Sequence, residues 1–226
     1  TSTSNTSSRL NSSTSIETVL VQLSTKMLES AVPGEDQQTA QTRGSSERPV
    51  SIEINGRVAS TSSMGSTVLS STTTGTTIEF PSLPTNVEST SSVQLSAIAV
   101  QGNALYPVNL STGIPGRSLL QGGLVSIHVR NSTGEALTVQ TNETHPFRFI
   151  VPLGLLQAPE NTESIGFRCE YWNVDTQSWQ RDGVRAFNIS SDGNVHCNST
   201  HLTAFSSNTE FQIRVNTFSG RVITLE

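Results

Sequence analysis

From Val50 onward, apolar residues recur at every second position in short runs, and Gly, Pro, Asn and Ser cluster between the runs. A strand sends successive side chains to opposite faces, so this period lets each segment bury one face only. Val50, Ile52 and Ile54 set the pattern. Thr76–Phe80, Val93–Val100, Leu124–Arg130, Ala136–Val139, Phe147–Val151 and Ile165–Trp172 continue it, and Phe211–Val215 and Val222–Leu225 end it. Asp192-Gly193 is a tight-turn signal. Many short strands with turn-rich joints must stack face to face, which predicts a mainly β chain folded as a twisted β-sandwich. Ser60–Thr77 is low in complexity and reads as a loop or a polar edge hairpin. No solenoid-like repeat occurs.

The first part of the chain reads differently. Residues 1–13 are almost all Ser, Thr and Asn. They offer too little apolar area to offset ordering, which predicts a flexible linker. Thr14-Ser15-Ile16-Glu17 fits a helix capping box. Ile16, Leu20, Leu23, Met27 and Ala31 follow at helical spacing, and Pro33-Gly34 stops the helix. The expected organisation is a linker at 1–13, a helical segment at 14–34 whose apolar stripe faces the core, and a sandwich at 35–226.

At 226 residues the chain is long enough for one large β-rich domain or two small ones. Only 14% of residues are charged and 33% are hydrophobic, so Ser and Thr supply the polarity. A net charge of -5 lacks the basic patch that nucleic acid requires. The longest apolar stretch, Phe149–Leu156, is broken by Pro152 and Gly154 and falls far short of the roughly 18 residues a membrane span needs. There is no charged-then-apolar start, so the chain reads as a piece of a longer precursor. Sequons at Asn5, Asn11, Asn109, Asn131, Asn142, Asn188 and Asn198 together favour a secreted, glycosylated surface. Cys169 and Cys197, an even count in such a context, read as one disulfide, with two buried free thiols as the alternative.

Both cysteines and both tryptophans lie between Cys169 and Phe205. A bridge there closes a loop of about 28 residues and contributes on the order of 3 to 4 kcal/mol. It would hold the strands beside His201-Leu202-Thr203 in register. A threonine hydroxyl is a poor nucleophile until a base takes its proton, and histidine can do so near neutral pH. Thr203 has one target that needs no external substrate, the Leu202 carbonyl before it. Attack there converts the peptide to an ester that water hydrolyses. The fold would have to twist or tightly turn that bond to make it react. The tripeptide alone equally fits a surface histidine beside a strand.

The wider pattern of Cys169-x-Tyr171-Trp172, Trp179, Gly183, Cys197 and His201-Leu202-Thr203-x-Phe205 resembles the GPCR proteolysis site that ends the GAIN domain of adhesion receptors and polycystin-type proteins. Leu28 to Glu35 looks like the end of that domain's helical subdomain, and Val50 to Leu225 like its β-sandwich. The resemblance implies autoproteolysis between Leu202 and Thr203, with His201 as base and Thr203 as nucleophile and with no cofactor or metal. It implies that the piece from Thr203 onward stays bound as a strand with Phe205 buried, so that the first partner is the chain's own C-terminal fragment. Adhesion receptors usually carry four cysteines and a run of large apolar residues after the Phe. Here Val184 follows Gly183, only Cys197 lies near the end, and Ser206, Ser207, Asn208 and Thr209 follow Phe205. The two-cysteine form looks more like polycystin-type proteins, and the single helix is a departure from the full domain, which has several. That resemblance implies the extracellular face of a plasma or ciliary membrane, a transmembrane helix soon after Glu226, and a channel subunit or matrix component as partner. A GAIN-like adhesion module that folds but never cuts, and an adhesion-receptor ectodomain carrying a tethered agonist, are the rival readings.

His128, His145 and His196 show no metal spacing. His128 alternates with Ile127 and Val129 and reads as solvent-facing, and His196 as a supporting neighbour of His201 or a plain strand residue. Asp175, Asp182 and Asp192 read as turn formers rather than calcium ligands. There is no phosphate loop and no Gly-x-Ser-x-Gly elbow.

Overall fold

The computed structural model describes residues 3–44, 51–71, 73–82, 91–101, 106, 117–152, 162–191 and 193–213. Strands β1 (Gln38–Arg43), β2 (Ser51–Ser60), β3 (Val68–Ser70), β4 (Thr77–Glu79), β5 (Ser92–Gln101), β6 (Arg117–Asn131), β7 (Phe147–Val151), β8 (Thr162–Asn173), β9 (Ser178–Gln180), β10 (Val184–Ile189), β11 (Val195–Ser199) and β12 (Ala204–Ile213) follow one helix, α1 (Thr3–Leu28). They form two antiparallel sheets: a seven-stranded sheet in the order β1-β2-β5-β6-β12-β8-β9, and a five-stranded sheet in the order β10-β11-β7-β4-β3. This is the β-sandwich that the period-two runs predict. Among the described residues no helix is long and apolar enough to cross a membrane.

The inward faces build one core. Val93, Leu95 and Ala97 of β5, Val125, Ile127 and Val129 of β6, and Phe205 of β12 meet Ile78, Phe147, Phe149, Val195 and Cys197 of the smaller sheet. Ile54, Ile98, Val100, Leu124 and Ala204, on the opposite face of the large sheet, pack under Leu20, Val21 and Met27 of α1. Covered on both faces, β5 is buried from Val93 to Val100, which is why its sequence is apolar almost throughout. The Cys169–Cys197 bridge joins β8 to β11 and so ties one sheet to the other.

Several expectations change. The helix begins at Thr3 rather than Thr14, so the backbone of the segment read as a linker continues α1. Once tertiary contacts hold the later turns, each earlier Ser or Thr adds only its modest propensity cost. Thr14-to-Glu17 is therefore not a capping box: the Glu17 carboxylate reaches across to Tyr106 and Ser126. The buried stripe is also rotated from the expected one. Ile16 and Leu23 are exposed, while Ser24 and Leu28 are buried. Ser24 approaches Ser96 of β5, and the Leu28 side chain fills the space that a Cβ would take at Gly56. Two small residues thus decide which helix face sits closest.

Ala136–Val139 is not a strand. It makes one isolated bridge, Ala136 with Arg130, and Gln140 just beyond it bridges His201. Ser60–Thr77 resolves into a 3-10 turn and the β3–β4 hairpin at the edge of the small sheet. The predicted 211–215 strand is the end of β12 as far as Ile213, and Val222–Leu225 lies outside the described residues.

Candidate functional site

His201, Leu202 and Thr203 form the corner where the chain leaves β11 in the small sheet and enters β12 in the large one. Four residues, 200–203, make the whole crossing, so local hydrogen bonds must hold it. Thr200 N–H donates to the Gly183 carbonyl at 3.0 Å, Thr141 N–H to the Thr200 carbonyl at 2.8 Å, and Ile127 N–H to the Thr203 carbonyl at 3.2 Å. Gln177 is the one described non-glycine residue with positive φ, so the corner contains no left-handed residue.

The His201 ring lies between aromatic neighbours. It meets Tyr171 edge-on at 4.5 Å between centroids and Phe205 at 6.1 Å. Burial lowers its pKa, and the Asp182 carboxylate partly opposes that shift. Asp182 accepts the Tyr171 hydroxyl at 2.9 Å. The result favours neutral imidazole, the form that can accept a proton. His201 Nε2 is buried and has no hydrogen-bond partner. Gly183, at φ +73°, lets the ring come close: a Cβ there would lie 3.1 Å from His201 Nδ1 and 2.7 Å from Thr200 Oγ1.

Thr203 is half-buried, and its hydroxyl donates to the Trp172 carbonyl at 3.3 Å. A cleft of about 400 Å³ runs along the corner, lined by His201, Leu202, Thr203, Trp172, Gln140 and Glu17 among others. Beyond Thr203, β12 lies between β6 and β8. Phe205 is fully buried against Phe149. Ser206, Ser207, Asn208 and Thr209 are buried as well. Ser206 donates to the Gly123 carbonyl, and Asn208 donates to Glu170, which also pairs with Arg168 and Arg181. Trp172 and Trp179 face each other across the β8–β9 hairpin, and Tyr106 stacks on Trp172 at 4.8 Å.

Every residue of the motif from Cys169 to Phe205 therefore gathers on or beside this corner. Of the other histidines, His128 lines the same cleft, and His145 and His196 do not. His196 turns its ring toward Phe187. His128 is half-buried rather than solvent-facing as its alternation predicts, and desolvation lowers its pKa to about 4. It belongs to a partly buried cluster in which Tyr106 and Ser126 donate to Glu17 and His128 Nε2 lies 2.9 Å from Ser126 Oγ. Ser126 has one hydroxyl hydrogen and gives it to Glu17, so His128 must donate through Nε2. Glu17, Tyr106 and His128 lie far apart in sequence, and no local spacing marks them as neighbours. Among the sequons, Asn142 and Asn188 are exposed, and Asn131 and Asn198 are half-buried. The Asn5, Asn11 and Asn109 side chains lie outside the described residues.

Comparison with known proteins agrees with this geometry. The model of the GPS family, described as GAIN subdomain B, matches residues 51–207, from the first residue of β2 through the corner and into β12. No curated protein matches the chain. With that match spanning most of its length, the chain belongs to the GPS family as a GAIN subdomain B.

Proposed function

We propose that this module cuts its own backbone between Leu202 and Thr203. The observation that carries the reading is a histidine held neutral by burial, with a buried and unpartnered Nε2, two residues before a threonine at the head of a central strand. The Thr203 hydroxyl leaves the Trp172 carbonyl and attacks the Leu202 carbonyl carbon while His201 Nε2 takes its proton. The tetrahedral intermediate collapses, the C–N bond breaks, and the Thr203 nitrogen receives that proton. The product is an ester between Leu202 and the Thr203 side chain. Water hydrolyses it, leaving a Leu202 carboxylate and a free N-terminal Thr203. The reaction happens once per chain, and no cofactor takes part. The new fragment stays in place through the β6 and β8 ladders and the buried side chains of β12.

The setting in this reading is the extracellular side of a plasma or ciliary membrane, within a polycystin-type protein. Two cysteines and a polar run after Phe205 support that context over an adhesion receptor with an apolar tethered agonist. The sequons support glycosylation, and a channel subunit or matrix component is the partner class that fits. A second reading, a module that folds without cutting, draws on the Thr203 hydroxyl being donated to Trp172 rather than to His201.

Denaturing electrophoresis of the full-length protein with N-terminal sequencing separates the two. Cleavage should produce a fragment beginning at Thr203, persist at a lower rate in Thr203→Ser, and vanish in Thr203→Ala. Hydroxylamine should accelerate release of any accumulated ester. An intact chain supports the second reading. A cut that survives Thr203→Ala means that an outside protease is responsible.

A further inference from the structure

Ser199, the last residue of β11, is 1% exposed and holds His201 from both sides. Its hydroxyl donates to the His201 carbonyl at 2.7 Å, and its oxygen accepts the His201 N–H at 3.2 Å. One side chain thereby satisfies both backbone groups of the histidine at the point where the chain turns from one sheet toward the other. We propose that Ser199 is a positioning residue for self-cleavage, setting the direction in which the His201 imidazole is presented to the Leu202–Thr203 bond. This rests on the cleavage reading above.

The physical case is one of freedom removed. The corner contains no left-handed residue, and the Cys169–Cys197 bridge anchors β11 two residues before Ser199. Beyond that anchor, the His201 carbonyl makes its bond to Ser199, and the ring Nε2 makes none. Without the hydroxyl, Thr141 still holds the Thr200 carbonyl, but the His201 N–H and carbonyl lose their bonds to Ser199, and rotation about the His201 φ and ψ moves the imidazole relative to the Thr203 hydroxyl. A displacement near 1 Å costs about 10²-fold in rate in a reaction that depends on a preset geometry. Ser199 touches no reacting atom, so its effect must pass through His201.

Cleavage of the full chain, followed in time by denaturing electrophoresis, tests this with four variants. Ser199→Ala should slow the cut about 10- to 100-fold, while Ser199→Thr, which keeps the hydroxyl, should stay within about 3-fold of the parent. Placed on His201→Ala, Ser199→Ala should add almost nothing, because there is no imidazole left to position. A role confined to general stability would slow both backgrounds alike, and that result overturns the proposal. So does parent-like cleavage in Ser199→Ala. If Ser199→Ala does not fold, Ser199→Cys decides: its thiol is a weak hydrogen-bonding group and should slow the cut at least about 10-fold in the parent while adding almost nothing on His201→Ala. Equal slowing in both backgrounds, or none in the parent, overturns the proposal. A parent chain that is never cut at Thr203 overturns this proposal and the cleavage reading together, which distinguishes it from every failure confined to Ser199.

Discussion

Phe205 of β12 lies against Phe149 of β7 with ring centroids 4.4 Å apart and planes inclined at 38°. The first turn of side chains after the corner is thus gripped by the opposite sheet. Phe205 has no exposed surface, so truncating it would open a space inside the core. Phe205→Ala should therefore cost about 3 to 5 kcal/mol, read as a lower denaturation midpoint. A loss under about 1 kcal/mol would show that the ring is not a keystone of this core.

The lowered pKa of His201 makes a prediction about rate. A base acts in its deprotonated form, so cleavage should be flat above the ordinary histidine pKa of about 6.5 and should decline only at more acid pH. His201→Ala should slow the cut by about 10²- to 10⁴-fold and recover in part as pH rises. Rate measurements between pH 5 and 9 check both. A parent whose rate keeps rising above neutrality would point to hydroxide rather than imidazole as the base.

Gly183→Ala should slow cleavage more than it unfolds the protein. Its φ of +73° costs an L-residue roughly 1 kcal/mol, and its new Cβ would press on Thr200 and on the His201 ring. Thermal melts and cleavage rates taken side by side should show a small shift in the first and a large one in the second. A rate equal to the parent's would mean that the ring does not need its present seat.

His128 links stability to acid. Its folded pKa of about 4 lies below the unfolded value of about 6.5, so between these the unfolded chain holds the extra proton. Stability should be full above about pH 6.5 and fall as pH drops toward 4. His128→Gln cannot take up the proton, and its melting temperature should vary less across that window. An unchanged slope would mean that other groups dominate.

The two-sheet stack was legible because β2, β6, β7 and β8 carry period-two runs and β5 a continuous apolar one. Strands such as β1, whose sequence is Gln-Thr-Ala-Gln-Thr-Arg, are polar along their length and owe their pairing to β2 alone. The helix was legible in kind but not in extent or facing. Its rotation depends on partners such as Ser96 and Gly56, which no local pattern exposes. The site divides in the same way. His201, Thr203, Phe205 and both cysteines stand out by residue type and spacing. Ser199 does not, since a lone serine in a Ser-rich chain carries no signal until its two bonds to His201 are seen.

Both cysteines precede residue 203, so the Cys169–Cys197 bridge lies wholly on one side of the Leu202–Thr203 bond. Once that bond opens, no covalent path joins β12 to the rest of the module. A tug directed along the strand from beyond Ile213 would then meet the β6 and β8 ladders, loaded in shear and sharing the tension with the buried Phe205 and Asn208 side chains. Such a strand does not peel away pair by pair. It holds against dilution, then leaves in one step above a threshold force, so the cut would turn a covalent tether into a mechanical fuse.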